Sequence, residues 1–195
     1  MRKEIEKLLQ SVQKPARYAG GELNSVMKDK SKVALRYAFC FPDTYEIGMS
    51  HLGMKILYGV ANAREDTWCE RVFAPADDME ALMRANGEPL FALESGDPIK
   101  DFDMIGFTMQ YELSYTNILN MLDLAGVPLR AVDRKSLTPI VAFGGPCACN
   151  PEPVAEFADI IFLGEGEETT NTVLDLLKKC KESGKSKQEF LEAAM

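Results

Sequence analysis

Long apolar runs are missing from this sequence, and none approaches the length of a membrane span. We expect no signal peptide either, because residues 1–13 carry charges throughout. The five cysteines, an odd number without regular spacing, do not form the pattern of a disulfide framework. These absences predict a cytoplasmic protein in a reducing compartment that does not associate with membranes.

Positive charge is also scarce. Lys and Arg total 22 against 30 Asp and Glu, which gives a formal net charge of −8 at pH 7. Because proteins that bind nucleic acid are more often basic, this balance argues against direct binding of DNA or RNA. Apolar residues supply 46% of the 195 residues, which is enough for one domain of ordinary size with an extension.

From residue 32 onward, apolar segments typical of strands alternate with segments of helical periodicity. The predicted strands are residues 33–39, 70–74, 103–109, 139–145 and 158–164, with 89–95 as an additional edge strand. The predicted helices are residues 46–63, with a stripe of Met49, Leu52, Ile56 and Val60, and residues 77–85, 115–125 and 173–180. A helix of about three turns is predicted at 5–12, and 189–195 begins another.

Continuous apolar strands separated by helices indicate a parallel sheet covered on both faces. We therefore predict an α/β fold with a flavodoxin-like (Rossmann-like), doubly wound, parallel five-stranded sheet. The predicted domain spans residues 32–180, between an N-terminal helix and extension (1–31) and a lysine-rich linker (181–195). In such sheets ligands bind beyond the carboxyl ends of the strands, where the strand order reverses.

Polar residues or glycines follow four of the predicted strands. Asp43 follows the first strand. The other positions are Thr108, Gln110, Tyr111 and Glu112 at and just beyond the end of strand 103–109, Gly144 and Gly145 at the end of the next, and Glu165, Glu167 and Glu168 after the last. These residues are the candidates for a site at the strand ends.

Each of these loops has a structural explanation beside a functional one. Gly144 and Gly145 form either an ordinary turn or a place where a ligand lies against bare backbone. Asp43 either caps the following helix or bonds a ligand. The glutamates favour a helix N-terminus electrostatically. Four hydrogen-bonding residues after strand 103–109 are more than a turn requires.

The order of these loops resembles the cobalamin-binding domain, a flavodoxin-like family with D-x-H-x-x-G after its first strand, S-x-L after its third and G-G after its fourth. The matching positions are Asp43, Tyr45 and Gly48, then Thr108 and Gln110, then Gly144 and Gly145. The segments "FPDTYEIGMSHLGMKILY", "YELSYTNILNMLDLAG" and "GGPCACNPEPVAEFADIIFLGEGEE" more closely resemble the cobalamin-binding-like N-terminal domain of one family of radical S-adenosylmethionine (radical SAM) proteins.

The resemblance implies a site for cobalamin, or for a substrate in the same place, formed by Asp43, Tyr45, Gly48, Thr108, Gln110, Tyr111, Gly144 and Gly145. Tyr45 replaces the histidine that would be the lower axial ligand of cobalt, and tyrosine is a poor cobalt ligand at neutral pH. Cobalamin is therefore expected to bind without a protein imidazole. Tyr45 and Gln110 also support an alternative, in which the domain is a cofactor-free module that positions a substrate or partner.

Radical SAM chemistry needs three cysteines in C-x-x-x-C-x-x-C to hold a [4Fe–4S] cluster, and this spacing is missing here. The resemblance therefore places the cluster, S-adenosylmethionine and catalysis in a C-terminal radical SAM domain of the same polypeptide. This segment is expected to be non-catalytic alone and to hold no metal.

Two further features leave alternatives open. Cys147 and Cys149 are interpreted as structural or incidental thiols, with a metal or redox role as the alternative. The single histidine, His51, is interpreted as a helix residue satisfied by a neighbour, with ligation as the alternative.

Overall fold

The computed structural model describes residues 2–195, and its centre is a five-stranded parallel sheet. The strands are β1 (Leu35–Phe41), β2 (Thr67–Phe73), β3 (Met104–Thr108), β4 (Ile140–Gly144) and β5 (Ile160–Ile161). Their order is β2–β1–β3–β4–β5, and every neighbouring pair is parallel. This is the strand order of flavodoxin-like sheets, and it confirms the predicted fold class. The order reverses between β1 and β3.

Helices cover both faces of the sheet. They are α1 (Lys3–Leu9), α2 (Tyr45–Ser50), α3 (Leu52–Asn62), α4 (Asp77–Asn86), α5 (Tyr115–Ala125), α6 (Gly166–Glu182) and α7 (Lys187–Ala194). Buried residues of α1, α4 and α5 share one apolar core with the sheet, and those of α3, α6 and α7 share the other. Short 3₁₀ turns lie at Pro15–Arg17, Ile99–Asp101, Glu112–Ser114, Ala131–Asp133, Pro146–Cys149 and Glu152–Phe157.

Strand alternation assigns each buried side chain to one of these two cores. In β1, Ala38 and Cys40 belong to the core with α4 and α5. Tyr37 and Phe39 belong to the core with α3 and α6. The second face therefore receives the aromatic residues of β1, and it is the face on which the cleft described below opens.

The predicted helix 46–63 is in fact two helices. His51 lies between α2 and α3 with extended backbone angles (φ −78°, ψ 120°), and its Nδ1 accepts a hydrogen bond from the Met54 amide at 3.2 Å. The predicted apolar stripe is wrong as well, because Leu52 and Ile56 are exposed. Because the helix is interrupted at His51, a different set of α3 side chains faces the core, namely Met54, Tyr58 and Ala61.

Three other elements differ from their predicted extents. Residues 89–95 form no strand in the described structure, only one antiparallel bridge between Phe91 and Pro98. Their backbone amides bond elsewhere, with Leu90 donating to the Leu124 carbonyl and Leu93 to the Arg71 carbonyl. β5 is two residues long rather than the seven of 158–164, and α1 ends at Leu9.

The C-terminal segment 181–195, predicted as a linker, packs on the domain. Phe190 of α7 is fully buried in the core with α3 and α6. The Lys187 ammonium lies 2.5 Å from a carboxylate oxygen of Asp159, which also pairs with Arg134 at 3.1 Å. A capping box of Ser186 and Glu189 begins the helix. Among the described residues, no helix combines the length and apolar character that crossing a bilayer requires.

Replacement of Phe190 by alanine is expected to destabilise the whole domain. A buried phenylalanine truncated to alanine leaves a cavity and costs about 3–5 kcal/mol. The measurement is urea unfolding of the 195-residue chain, with Gln188→Ala on the exposed side of α7 as the control. The control should change the free energy of unfolding by less than about 0.5 kcal/mol. Equal stability of the two variants would show that α7 does not pack as described.

Candidate functional site

A cleft of about 680 Å³ opens at the carboxyl edge of the sheet, between the first turns of α3 and α6. We call it the carboxyl-edge cleft. Residues of α3 and α6 line its two sides, and the sheet side is formed by Gly106 of β3, Ala142 of β4 and the loops that follow these strands. The cleft therefore lies next to the reversal of strand order, where flavodoxin-like sheets bind their ligands.

Six of the candidate residues from the sequence line this cleft: Thr108, Gln110, Gly144, Gly145, Glu165 and Glu167. The Gln110 side-chain amide donates a hydrogen bond to the Thr108 hydroxyl. The Gln110 carbonyl oxygen lies 3.1 Å from Nε2 of His51. Because Nδ1 of His51 accepts from Met54, we assign the proton to Nε2, which donates to Gln110. A continuous chain of hydrogen bonds thus joins the loop after β3 to the start of α3.

The two glycines at the carboxyl end of β4, Gly144 within the strand and Gly145 after it, differ in what the protein requires of them. Gly145 has φ +100°, and a Cβ there would lie 3.0 Å from both the Thr108 hydroxyl oxygen and the Met109 carbonyl oxygen. A side chain at 145 is thus excluded by the protein itself. Gly144 lacks these restraints, because a Cβ there would meet only Phe162, at an ordinary 3.5 Å. Gly145 is explained by the fold, whereas Gly144 leaves bare backbone open to the cleft.

Asp43 and Tyr111 bond to each other beside the cleft rather than within it. The Tyr111 hydroxyl donates to the Asp43 carboxylate at 2.8 Å, and this bond raises the pKa of Tyr111. The other Asp43 oxygen accepts from the Thr44 amide at 2.7 Å. The N-cap of α2 is Thr44, so Asp43 does not cap that helix. The pair connects the loops after β1 and β3.

Tyr45 and Gly48 lie on the β2 side of β1, away from the cleft residues. The Tyr45 hydroxyl donates to Glu22 at 3.2 Å, and its ring packs edge-on against Phe73 with centroids 5.5 Å apart. Burial raises the pKa of Tyr45. A Cβ on Gly48 would lie 2.3 Å from a ring carbon of Phe73. Close packing against Phe73 therefore accounts for the glycine at 48.

The cysteines are all free thiols. Cys40, Cys69 and Cys180 are buried, Cys147 is half-buried with a pKa raised by burial, and Cys149 is exposed and lines the carboxyl-edge cleft. Within the part of the chain that the structure describes, no three His, Cys, Asp or Glu side chains converge to hold a metal ion.

Sequence reasoning missed several residues of the cleft. These are Tyr37, Phe39, Leu57, Gly106, Ala142, Phe162 and Thr170. One of them carried a usable signal, because a glycine inside an otherwise apolar strand, such as Gly106, often marks a close approach of another group. A Cβ on Gly106 would lie 2.5 Å from the Tyr37 hydroxyl oxygen.

The family model described as radical SAM proteins, N-terminal, matches residues 53–195, which is most of the chain. The chain belongs to this family. The matched part of this radical SAM N-terminal domain contains Thr108, Gln110, Gly144 and Gly145 but begins after Asp43, Tyr45 and Gly48. The cleft is therefore formed largely by residues within the family match.

Comparison with individual proteins adds one relative. An uncharacterized protein of Methanocaldococcus jannaschii is 35% identical over 79 residues, which cover 40% of this chain and 16% of that protein. The chain thus corresponds to a small part of that relative. No solved structure matches this 195-residue chain.

Gly48→Ala is expected to destabilise the domain by about 1–3 kcal/mol, because the new methyl group overlaps the Phe73 ring. Shortening that ring in Gly48→Ala/Phe73→Leu should recover part of the loss, which makes the two substitutions non-additive. The measurement is urea unfolding of both single variants and the double variant.

Gly59→Ala, in α3, is the matched control for this substitution, because the added methyl group would meet no atom within 4 Å beyond the adjacent residues and backbone of its own helix. It should be neutral or stabilising by up to about 1 kcal/mol. A Gly48→Ala protein as stable as this control would contradict the packing role of Gly48.

Proposed function

We propose that this radical SAM N-terminal domain binds a small molecule in the carboxyl-edge cleft and presents it to a radical SAM domain of the same polypeptide. The observation that carries the proposal is the convergence of Thr108, Gln110, Gly144 and Gly145, from the carboxyl ends of β3 and β4, on one cleft. Family membership supports the partner domain. The [4Fe–4S] cluster, S-adenosylmethionine and catalysis would belong to that domain, and the whole protein would be a radical SAM enzyme.

We propose cobalamin as the first candidate ligand. The substrate of the enzyme, bound in the same place, is the second candidate. Thr108 and Gln110 offer polar groups and Gly144 offers open backbone to a large ligand. When bound, cobalamin supplies a cobalt centre that carries a methyl group.

An axial imidazole from this domain does not fit the geometry. Tyr45, at the motif position of the ligating histidine, bonds Glu22 outside the cleft. Nε2 of His51 is engaged by Gln110, and its Nδ1 by Met54. The described residues therefore support binding without a protein imidazole, as the sequence predicts.

A second candidate function is a cofactor-free recognition module. Two exposed large apolar side chains, Ile56 and Leu163, line the cleft, and two more, Leu52 and Leu113, are exposed in the segments that follow β1 and β3. Exposed apolar groups gathered around one cleft are typical of contact surfaces. In this case the edge would position a substrate or partner directly for the radical SAM domain, without a cofactor between them.

Retention of hydroxocobalamin distinguishes the two functions. The 195-residue chain is mixed with hydroxocobalamin at high micromolar concentration, desalted and examined by visible absorption. Corrin absorbance at about one equivalent per chain supports the cofactor. A colourless protein contradicts cobalamin binding and supports the recognition module.

Gly144→Ala is expected to weaken binding of hydroxocobalamin by about tenfold or more, because the methyl group occupies the backbone that the ligand would approach. The fold tolerates this change, since the nearest neighbour of the new methyl group is Phe162 at 3.5 Å. Gly59→Ala is the matched control and should bind as the unmodified chain does, because Gly59 lies outside the cleft. Unchanged affinity in Gly144→Ala would contradict a ligand lying against this backbone.

A further inference from the structure

His51 occupies the N-cap of α3, a position that serine, threonine, asparagine and aspartate usually hold. Its Nδ1 accepts the Met54 amide at 3.2 Å, which satisfies one of the amides that a helix leaves unpaired in its first turn. Only an unprotonated ring nitrogen can accept this bond. Because histidine ordinarily changes charge between about pH 5 and 8, α3 has a cap that can be removed by a proton.

The first turn of α3 has little other support. Gly53 is its second residue, and glycine is among the least favourable residues in a helix. Leu52, the first residue, is 68% exposed and contributes no burial to the core. Met54 is the first buried side chain of the helix. The cap bond therefore supplies a large share of what holds this turn in helical geometry.

A protonated His51 ring would carry an N–H donor at both nitrogens. The bond from Nε2 to the Gln110 carbonyl oxygen, 3.1 Å long, would be retained. At Nδ1, however, the new N–H would face the Met54 N–H, so two donors would meet and the cap bond would be lost. The positive ring would also lie at a helix N-terminus, where positive charge is unfavourable. Both effects loosen the same turn.

The charged groups on the elements around His51 are engaged elsewhere or lie on other faces. Glu46 of α2 pairs with Arg17 at 2.9 Å. Asp43 and Tyr111, in the loops after β1 and β3, bond to each other. From β1 the neighbour is the apolar ring of Phe41, whose centroid lies 5.2 Å from that of the imidazole. Within residues 2–195, the imidazole hydrogen-bonds Gln110 and Met54 alone.

The remaining titratable neighbours are Lys55, one turn further along α3, and Cys149, Glu165 and Glu167, which line the carboxyl-edge cleft as His51 does. These groups influence the pH at which the ring takes up a proton. They do not change which bonds the protonated ring can make, because that is fixed by the Met54 amide at Nδ1.

The affected turn is part of the cleft wall. His51, Gly53, Ile56 and Leu57 line the cleft from the side of α3. A Cβ on Gly53 would lie 3.0 Å from a ring carbon of His51, so the imidazole packs directly on this turn. Any loosening of the turn therefore changes the shape of the cleft.

We propose that His51 is a pH-dependent cap, whose protonation releases the first turn of α3 and so reshapes the helix side of the carboxyl-edge cleft. The proposal goes beyond the proposed function, because it concerns the protein without a ligand and holds for any molecule that the cleft binds.

The test follows the ¹⁵N-labelled 195-residue chain by NMR between about pH 5 and 8. His51 is the single histidine of the sequence, so the ring protons give one unambiguous titration curve. Hydrogen exchange of the Met54 amide is measured over the same range and corrected for the intrinsic effect of pH. Its protection should fall by about fivefold or more, with the same midpoint as the ring. The Met121 amide of α5 should keep its protection.

Two variants define the limits of this change. His51→Asn keeps a capping oxygen without a titrating ring, so Met54 should be protected equally at both pH values. His51→Ala removes the cap, so Met54 should be weakly protected at both. The unmodified chain should match the asparagine variant at about pH 8 and the alanine variant at about pH 5.

Two results would overturn the proposal. One is a Met54 amide in the unmodified chain that stays protected after the ring is fully protonated. The other is an equal loss of protection at acid pH in His51→Asn, since that loss could not come from the imidazole. The experiment uses no ligand, so its outcome is independent of the retention of hydroxocobalamin.

Discussion

The close approach of Gly145 to the Thr108–Met109 backbone is the constraint on which the cleft depends. Gly145 can adopt its positive φ because it has no Cβ, and an added Cβ would lie 3.0 Å from both the Thr108 hydroxyl oxygen and the Met109 carbonyl oxygen. The Met109 amide donates to the Gly144 carbonyl at 2.6 Å, and the Cys147 amide donates to the Met109 carbonyl at 3.0 Å. These bonds hold the loops after β3 and β4 together as one unit. Thr108 and Gln110 are thereby fixed on the side of the cleft that the sheet forms.

The open space itself follows from the order of the strands. The chain reverses direction across the sheet between β1 and β3. α3 follows β1 and α6 follows β5, so the two helices on this face begin at separate places along the carboxyl edge. Between them lie Gly106 and Ala142, which are too small to fill the gap. Topology and residue size together produce a cleft that the apolar core leaves unfilled.

The sequence predicted the sheet and the loops after β3 and β4 because both depend on local patterns. Continuous apolar segments identify strands, and Thr108, Gln110, Gly144 and Gly145 stand at or just beyond the ends of two of them. The break at His51 escaped detection because histidine is not among the residues that commonly cap helices. Tyr37 was not identified as a cleft residue because an aromatic residue in an apolar strand usually belongs to the hydrophobic core. Its position beside the cleft is a property of the three-dimensional packing. Tyr45 and Gly48 occupy motif positions, yet the structure directs them toward Glu22 and Phe73.

The hydrogen-bond chain from Thr108 through Gln110 to His51 connects two parts of the cleft wall. It couples a strand-end loop to the first turn of α3, since the same imidazole ring bonds Gln110 on one side and the Met54 amide on the other. A molecule that displaced the Gln110 side chain would also leave the imidazole without one of its two partners. Binding of such a molecule and the stability of the first turn of α3 would then be thermodynamically coupled.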